Sequence, residues 1–439
     1  DSQVLIFATK YWRITADGVE EKDLTAADFD YWESDKKRFD AHRLEHRFIN
    51  LREEGGQLKL TFGGEAGKCD FLDFLVRTSW FTWDKHLDET RTPRFGEEGS
   101  KLNDFTEDFK LSLLSKLTAI GYLLHQYNNQ AVQKAIIAMD ERISPVGDSQ
   151  GRSGKSLMSK ALEQMVNVVT IPGKGLDLVN DRFAFEQVTS QTRVILLDDL
   201  DMRFDFELLF PLITGSVQVN AKGKQRFSLT GHQKPKFLLT TNHAILGSSG
   251  SFRDRQFKVA FSNYFDEDYK PEMVYGCQFW SEDWDQKQWN LFYNLMAECV
   301  ELYLLAQKHH WGVGGSGLIE CPSENLDKRL LRQEMTEGFY DWMVKYLNID
   351  ELDPHNVSGT RLNQRIERIE MYNSYLMELT EAERRWMKPN KFLKQTLLFC
   401  RYYEYVLNPQ FPRDAKGNPI KSDKSGGTEY FTIGTPENK

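Results

Sequence analysis

Apolar positions along the chain follow two rhythms, and the switch between them predicts its elements. Near the start, the apolar run Val4 to Ala8 and the alternating run Leu58 to Phe62 are set among charged stretches and the glycine pairs Gly55-Gly56 and Gly63-Gly64. Such runs predict strands and turns of a small α+β region. Across 103–133 the apolar residues Leu111, Leu114, Leu117, Ile120, Leu123 and Leu124 recur at three- and four-residue spacing, which predicts a helix. The wholly apolar stretch Ala135 to Met139 then predicts a buried strand. Between 154 and 261 a helical pattern at 157–168 alternates with apolar runs at 194–197 and 237–240. Strands apolar on both faces, alternating with helices, predict α/β order around a largely parallel sheet.

Beyond this core, 282–309 reads as a helix rich in Trp, Phe, Tyr and Leu, and the glycine-rich run 312–317 breaks it, which places a boundary there. Helices are expected at 338–347, 361–379 and 389–407, followed by a turn at Ser425, Gly426 and Gly427 and a strand at 428–433. Helices ending in a hairpin predict a winged-helix-like domain. The expected organisation is an α+β region at 1–100, a helical collar-like segment at 101–133, an α/β core at 134–265, a helical lid or linker at 266–335 and the winged-helix-like domain at 336–439.

Composition narrows the class. With 40% hydrophobic and 28% charged residues among 439, the chain has a globular profile, and no run approaches the roughly 20 apolar residues of a membrane span. No basic-then-apolar secretory leader opens it, so a cytoplasmic protein without a membrane partner is expected. The start at Asp1 reads as a piece of something longer. Five cysteines lie far apart and none forms a CxxC pair, which argues against a zinc ribbon. The net charge of −9 means that a nucleic-acid partner must meet local basic elements rather than the bulk charge.

The strongest chemical pattern is Ser149, Gln150, Gly151, Arg152, Ser153, Gly154, Lys155, Ser156, a Walker A sequence in which Ser149 stands at the first glycine. Gly151 and Gly154 let successive backbone N–H groups face one concavity, and a helix beginning near Lys155 adds its positive end. Lys155 is expected on the β and γ phosphates of ATP and the Ser156 hydroxyl on Mg²⁺. Asp198 and Asp199 end an apolar run, one placed to hold Mg²⁺, with Asp198 as the ligand, and the next to act as general base. Asn242 ends another and can orient the hydrolytic water. Arg253 and Arg255 can offer an arginine finger to a neighbouring subunit, with Arg255 preferred.

In this order, together with the basic segment 215–224, the motifs resemble the superfamily 3 helicases of viruses, phages and plasmids, and among them the primase-helicases related to poxvirus and phage enzymes. The resemblance covers about 135–261. It implies an α/β P-loop (AAA+-like) core, a hexameric ring with ATP between subunits, 3′-to-5′ movement on single-stranded or forked DNA, and a primase domain or protein as a further partner. It also draws attention to the alternating stretch 217–227, which reads as a hairpin whose tip carries Lys222 and Lys224, placed for DNA phosphates. In the C-terminal region, Arg361, Arg365, Arg368, Arg384, Arg385, Lys388, Lys391 and Lys394, with Lys421 and Lys424 on the wing, alternate with Glu367, Glu370, Glu378, Glu381 and Glu383. A DNA-facing side and a solvated mixed-charge surface both fit.

Two other readings keep the loop. One is a nucleotide-dependent ring for assembly or regulation that binds DNA or protein without unwinding. The other is a small-molecule kinase, which leaves Asn242, the arginines and the basic hairpin without a role.

Overall fold

The computed structural model describes residues 2–83, 92–129, 131–141, 154–201, 204–223, 225–242, 254–266, 268–322, 328, 331–332, 335–351, 353–411 and 423–435. Those up to Pro322 form one compact unit and those from Lys328 onward a second.

At the centre of the larger unit is a five-stranded parallel sheet. Its spatial order is Gln256–Phe261, Ala135–Asp140, Lys236–Thr241, Val194–Asp198, Val168–Pro172. Alternate residues of its strands enter two different cores. Ile136, Ala138, Leu196, Leu238 and Val259 pack with the helices Glu107–Leu124 and Lys155–Glu163, whereas Ala135, Ile137, Ile195, Leu197 and Leu239 pack with Phe206, Leu209 and Ile213 and the hairpin residues Val217, Val219 and Leu229. Burial on both faces explains why these strands are continuously apolar in sequence.

On the first face the helix Glu107–Leu124 packs against the long helix Gln286–Lys308. They approach so closely at Gly121 that a Cβ there would lie 2.0 Å from the Cys299 carbonyl oxygen. A ladder of polar residues on the long helix holds the irregular segment before the hairpin Ile49–Glu54/Gln57–Phe62. Asn290 Oδ1 accepts from His42 N, Asn294 Oδ1 from Leu44 N, and the Glu298 carboxylate from Phe48 N and Ile49 N at 3.0 Å. Backbone donors in a buried segment outside regular structure need such partners. An antiparallel sheet, Gln3–Ile6, Lys10–Thr15 and Gly18–Asp23, completes the N-terminal part. No helix among the described residues is long and apolar enough to cross a membrane.

Several elements differ from the pattern-based expectation. The helix expected over 103–133 is Glu107–Leu124, begun by Thr106, whose side chain accepts from Phe109 N. The helix expected over 157–168 ends at Glu163, because Val168 to Pro172 pair with the strand Val194–Asp198. In the smaller unit the expected helix 361–379 is a short strand, Arg365–Glu367, followed by the helix Arg368–Glu378. The third expected helix is Pro389–Tyr402, and Val406–Leu407 instead pair with the strand Thr428–Gly434. That strand also pairs with Arg365–Glu367 and with Asp423–Ser425, so one small sheet gathers residues from both ends of the unit.

Candidate nucleotide site

Four segments distant in sequence meet at the carboxyl edge of the parallel sheet, where open α/β sheets bind ligands. Three are strand ends: Asp140, then Asp198 with Asp199, then Thr240 to Asn242. The fourth is the start of the helix Lys155–Glu163. Lys155 Nζ donates to Asp140 Oδ1 at 2.5 Å and to Asn242 Oδ1 at 2.8 Å, which brings the helix N-terminus to this edge. Gly154 precedes the helix at φ 103°, in the left-handed region, and a Cβ there would lie 2.6 Å from the Phe74 ring. Glycine is required at that position both for its backbone angle and for its missing side chain.

Neighbouring side chains on a continuing strand point to opposite faces, yet Asp198 and Asp199 line one cleft. The strand ends in a kink, with Asp199 at φ 57°. Thr240 fixes the pair: its Oγ1 donates to Asp198 Oδ1 at 2.6 Å and accepts from Asp199 N at 2.8 Å. Asn242 Nδ2 lies 3.5 Å from Asp199 Oδ1, and Lys174 Nζ lies 2.7 Å from Asp199 Oδ2. The hydrogen bond to Asp199 raises the pKa of Lys174.

The cleft measures about 540 Å³, a size usual for small-molecule sites. Gly154, Lys155, Ser156, Asp198, Asp199 and Asn242 line it, and so do Lys160 and Lys270. Among the described residues no three His, Cys, Asp or Glu side chains stand together as a metal cage. One hydroxyl (Ser156) and one carboxylate (Asp198) on a shared cleft fit Mg²⁺, which commonly takes one or two protein oxygens and completes its shell with phosphate and water.

Two further expected site residues lie elsewhere. Arg255 precedes the outermost strand, at the amino edge of the sheet. Its carbonyl accepts from Ala135 N, and its guanidinium lies 4.7 Å from the Phe210 ring centroid. Lys222 is exposed at the tip of the hairpin Val217–Val219/Phe227–Leu229, above the Phe183 ring. Ser149, Gln150, Gly151, Arg152, Ser153, Lys224 and Arg253 lie outside the described residues. Asp140, Thr240, Lys174 and Lys270 were not anticipated. Asp140 left one trace in sequence, a charge between the apolar strand and the loop, whereas Thr240 looks like any strand residue.

Residues 147–255 match a family described as a family of unknown function, DUF5906. No curated protein matches the chain. Among solved structures it is similar to "The A form apo structure of NrS-1 C terminal region-CTR" (13% identity, TM-score 0.35, 99% of this chain and 96% of that one). It is similar also to "The A form apo structure of NrS-1 C terminal region-CTR(305-718)" (11% identity, TM-score 0.35, 98% and 96%). Likeness of that degree leaves function to be argued from the site.

Proposed function

We propose that the larger unit is a Mg-ATP-hydrolysing motor that moves on single-stranded DNA, a helicase of DNA replication working as a ring. One observation carries the reading: Lys155, Asp198, Asp199 and Asn242 share one cleft beyond a parallel sheet, each from a segment that the motif order had singled out.

In this mechanism the loop 149–154 and the helix N-terminus bind the phosphates, and Lys155 leaves Asp140 and Asn242 for the β and γ oxygens. Ser156 and Asp198 would hold Mg²⁺, which when bound would neutralise charge on the phosphate oxygens. Asp199 takes the proton of the attacking water, and Asn242 orients that water. Arg255 stands on the far edge from its own cleft, at the start of an edge strand, which suits donation to a neighbouring subunit's nucleotide. The hairpin tip, with Lys222 and Lys224, contacts the DNA backbone. The order of elements among the described residues of the smaller unit, a helix, a short strand, three helices, a two-residue strand and a hairpin, supports the winged-helix reading.

The test is ATP hydrolysis by the full chain with and without single-stranded DNA. Stimulation by DNA, and loss of hydrolysis in Lys155→Ala, are expected. Hydrolysis that survives Lys155→Ala sinks the nucleotide site. Hydrolysis that DNA does not alter, and that Lys222→Ala leaves unchanged, sinks the motor while leaving the site.

A further inference from the structure

We infer that a cleft in the smaller unit is a docking site for an acidic peptide segment of a partner protein, which seats an aromatic or branched apolar side chain in the cleft and lays its carboxylates on the cations beside it. The inference goes beyond the nucleotide-site reading and does not depend on it. The cleft measures about 420 Å³, within the usual range of ligand pockets. Ile369, Tyr372, Pro389 and Phe392 give it apolar walls, and Gly427 and Thr428, at the hairpin turn, form another side.

Large apolar side chains stand in water around this cleft. Ile369, on its wall, is 53% exposed, and Met377 and Trp386 are 78% and 76% exposed. Two sets of hydrogen bonds gather them. Arg384 donates to the carbonyls of Leu376 and Met377 at 2.6 and 3.4 Å, which ties the end of the helix Arg368–Glu378 to the helix Glu381–Trp386. The Tyr372 hydroxyl donates to the Met387 carbonyl at 2.5 Å, which holds the residue after Trp386 against a wall of the cleft. Exposed apolar side chains that cluster beside a cleft mark a protein contact. Tryptophan in particular is enriched among the residues that dominate binding.

Charge selects the partner. Arg385, Lys388 and Lys391 flank Trp386 and Pro389 in sequence, are exposed and have no ion-pair partner among the described residues. On the hairpin side the charges are already matched, because Arg368 and Lys424 both pair with Glu429, at 2.6 and 2.9 Å. Carboxylates of an incoming peptide therefore settle on the Pro389 side, away from Glu367, which also lines the cleft. Apolar centre and charged rim is the usual anatomy of a protein interface. A nucleic-acid strand fits poorly. Phosphates would follow on both sides of any base placed in the cleft and would meet Glu367 and Glu429, whereas a peptide can carry its acids on one side only.

The test is fluorescence anisotropy of the full chain, without nucleotide, with a labelled oligo-aspartate peptide that ends in phenylalanine. Saturable binding is expected. It should weaken about tenfold or more in Trp386→Ala, in Ile369→Asp, which puts a charge into the cleft, and for a peptide that ends in alanine instead. Lys388→Ala with Lys391→Ala should weaken it too and flatten its dependence on salt. All four side chains are exposed, and an unchanged melting temperature would show that the variants are folded. Lys155→Ala should bind the peptide as the parent does, so a failed nucleotide site does not cloud the result. No binding, equal binding of the two peptides, or binding that Ile369→Asp leaves intact overturns the inference. So does duplex DNA that displaces the peptide and loses affinity by the same factor in Ile369→Asp, since the cleft would then serve nucleic acid.

Discussion

Lys155 and Asp140 form an ion pair of 2.5 Å at the head of the candidate site, with both side chains only 9% exposed. The cation assigned to phosphate is thus already neutralised by the strand that leads into the loop. Removing one member of a buried pair leaves the other charge uncompensated, at a cost of about 3–5 kcal/mol.

Asp140→Asn should therefore lower the melting temperature of the nucleotide-free protein. Because phosphate no longer competes with a carboxylate for Lys155, a non-hydrolysable ATP analogue should raise the melting temperature of the variant more than that of the parent. Thermal shift with and without the analogue checks both. An equal or smaller shift in the variant counts against competition between Asp140 and phosphate.

Thr240 is buried and joins both aspartates, so Thr240→Val removes two hydrogen bonds while nearly keeping the shape. Outer-shell partners of metal-binding groups typically matter by about 10–100-fold. A fall in kcat of that order is expected, with little change in KM for ATP. Steady-state hydrolysis measures it, and a change confined to KM would mean that Thr240 acts on nucleotide binding instead.

Arg255 and Lys155 occupy opposite edges of one sheet, which leads to a mixing experiment. Arg255→Ala and Lys155→Ala should each be inactive alone. Mixed subunits should regain part of the activity, because some interfaces then pair an intact Lys155 with an intact Arg255. Hydrolysis titrated against the mixing ratio reads this directly, and a mixture as inactive as its parts would place the arginine outside the reaction.

Glu298 supplies a pH dependence of stability. Burial pushes its carboxyl up to about 7 from an ordinary 4.5, against the opposing pull of the Phe48 and Ile49 N–H groups and the Arg43 charge. The folded chain then keeps a proton that the unfolded chain has released. That stabilising share is full below pH 4.5 and is lost as pH rises through 7. At about 1.4 kcal/mol per pKa unit the full change is on the order of 3–4 kcal/mol. Melting temperature should fall between pH 5 and 8, and Glu298→Gln, which still accepts from both N–H groups, should flatten the fall. A parallel decline in the variant would assign the effect to other groups.

Features of this protein whose physics is local are legible in its amino-acid sequence. Continuous apolar runs specify strands buried on both faces, and Gly154, Lys155, Asp198, Asp199 and Asn242 each stand at the boundary of such a pattern, where polarity changes abruptly. Element ends were less legible where a distant partner decides them. Val168 continues a helical pattern until the strand at 194–198 offers it hydrogen bonds, and Arg365 leaves a helical pattern because Thr432 pairs with it.

Which polar side chains meet follows from the folded topology. Lys155 and Asp140, Thr240 and Asp198, and Arg365 and Asp423 are 15, 42 and 58 residues apart. Strand order and crossover connections bring them within hydrogen-bond reach, and that order leaves no periodic trace in sequence. The same long-range pairing ties down Arg361, Arg365 and Arg368 and leaves Lys391, Lys394 and Arg401 facing outward, although all six look alike along the chain. Hydrophobic patterning is set by the period of the backbone, whereas a charge acquires its role from what the fold places within a few ångströms of it.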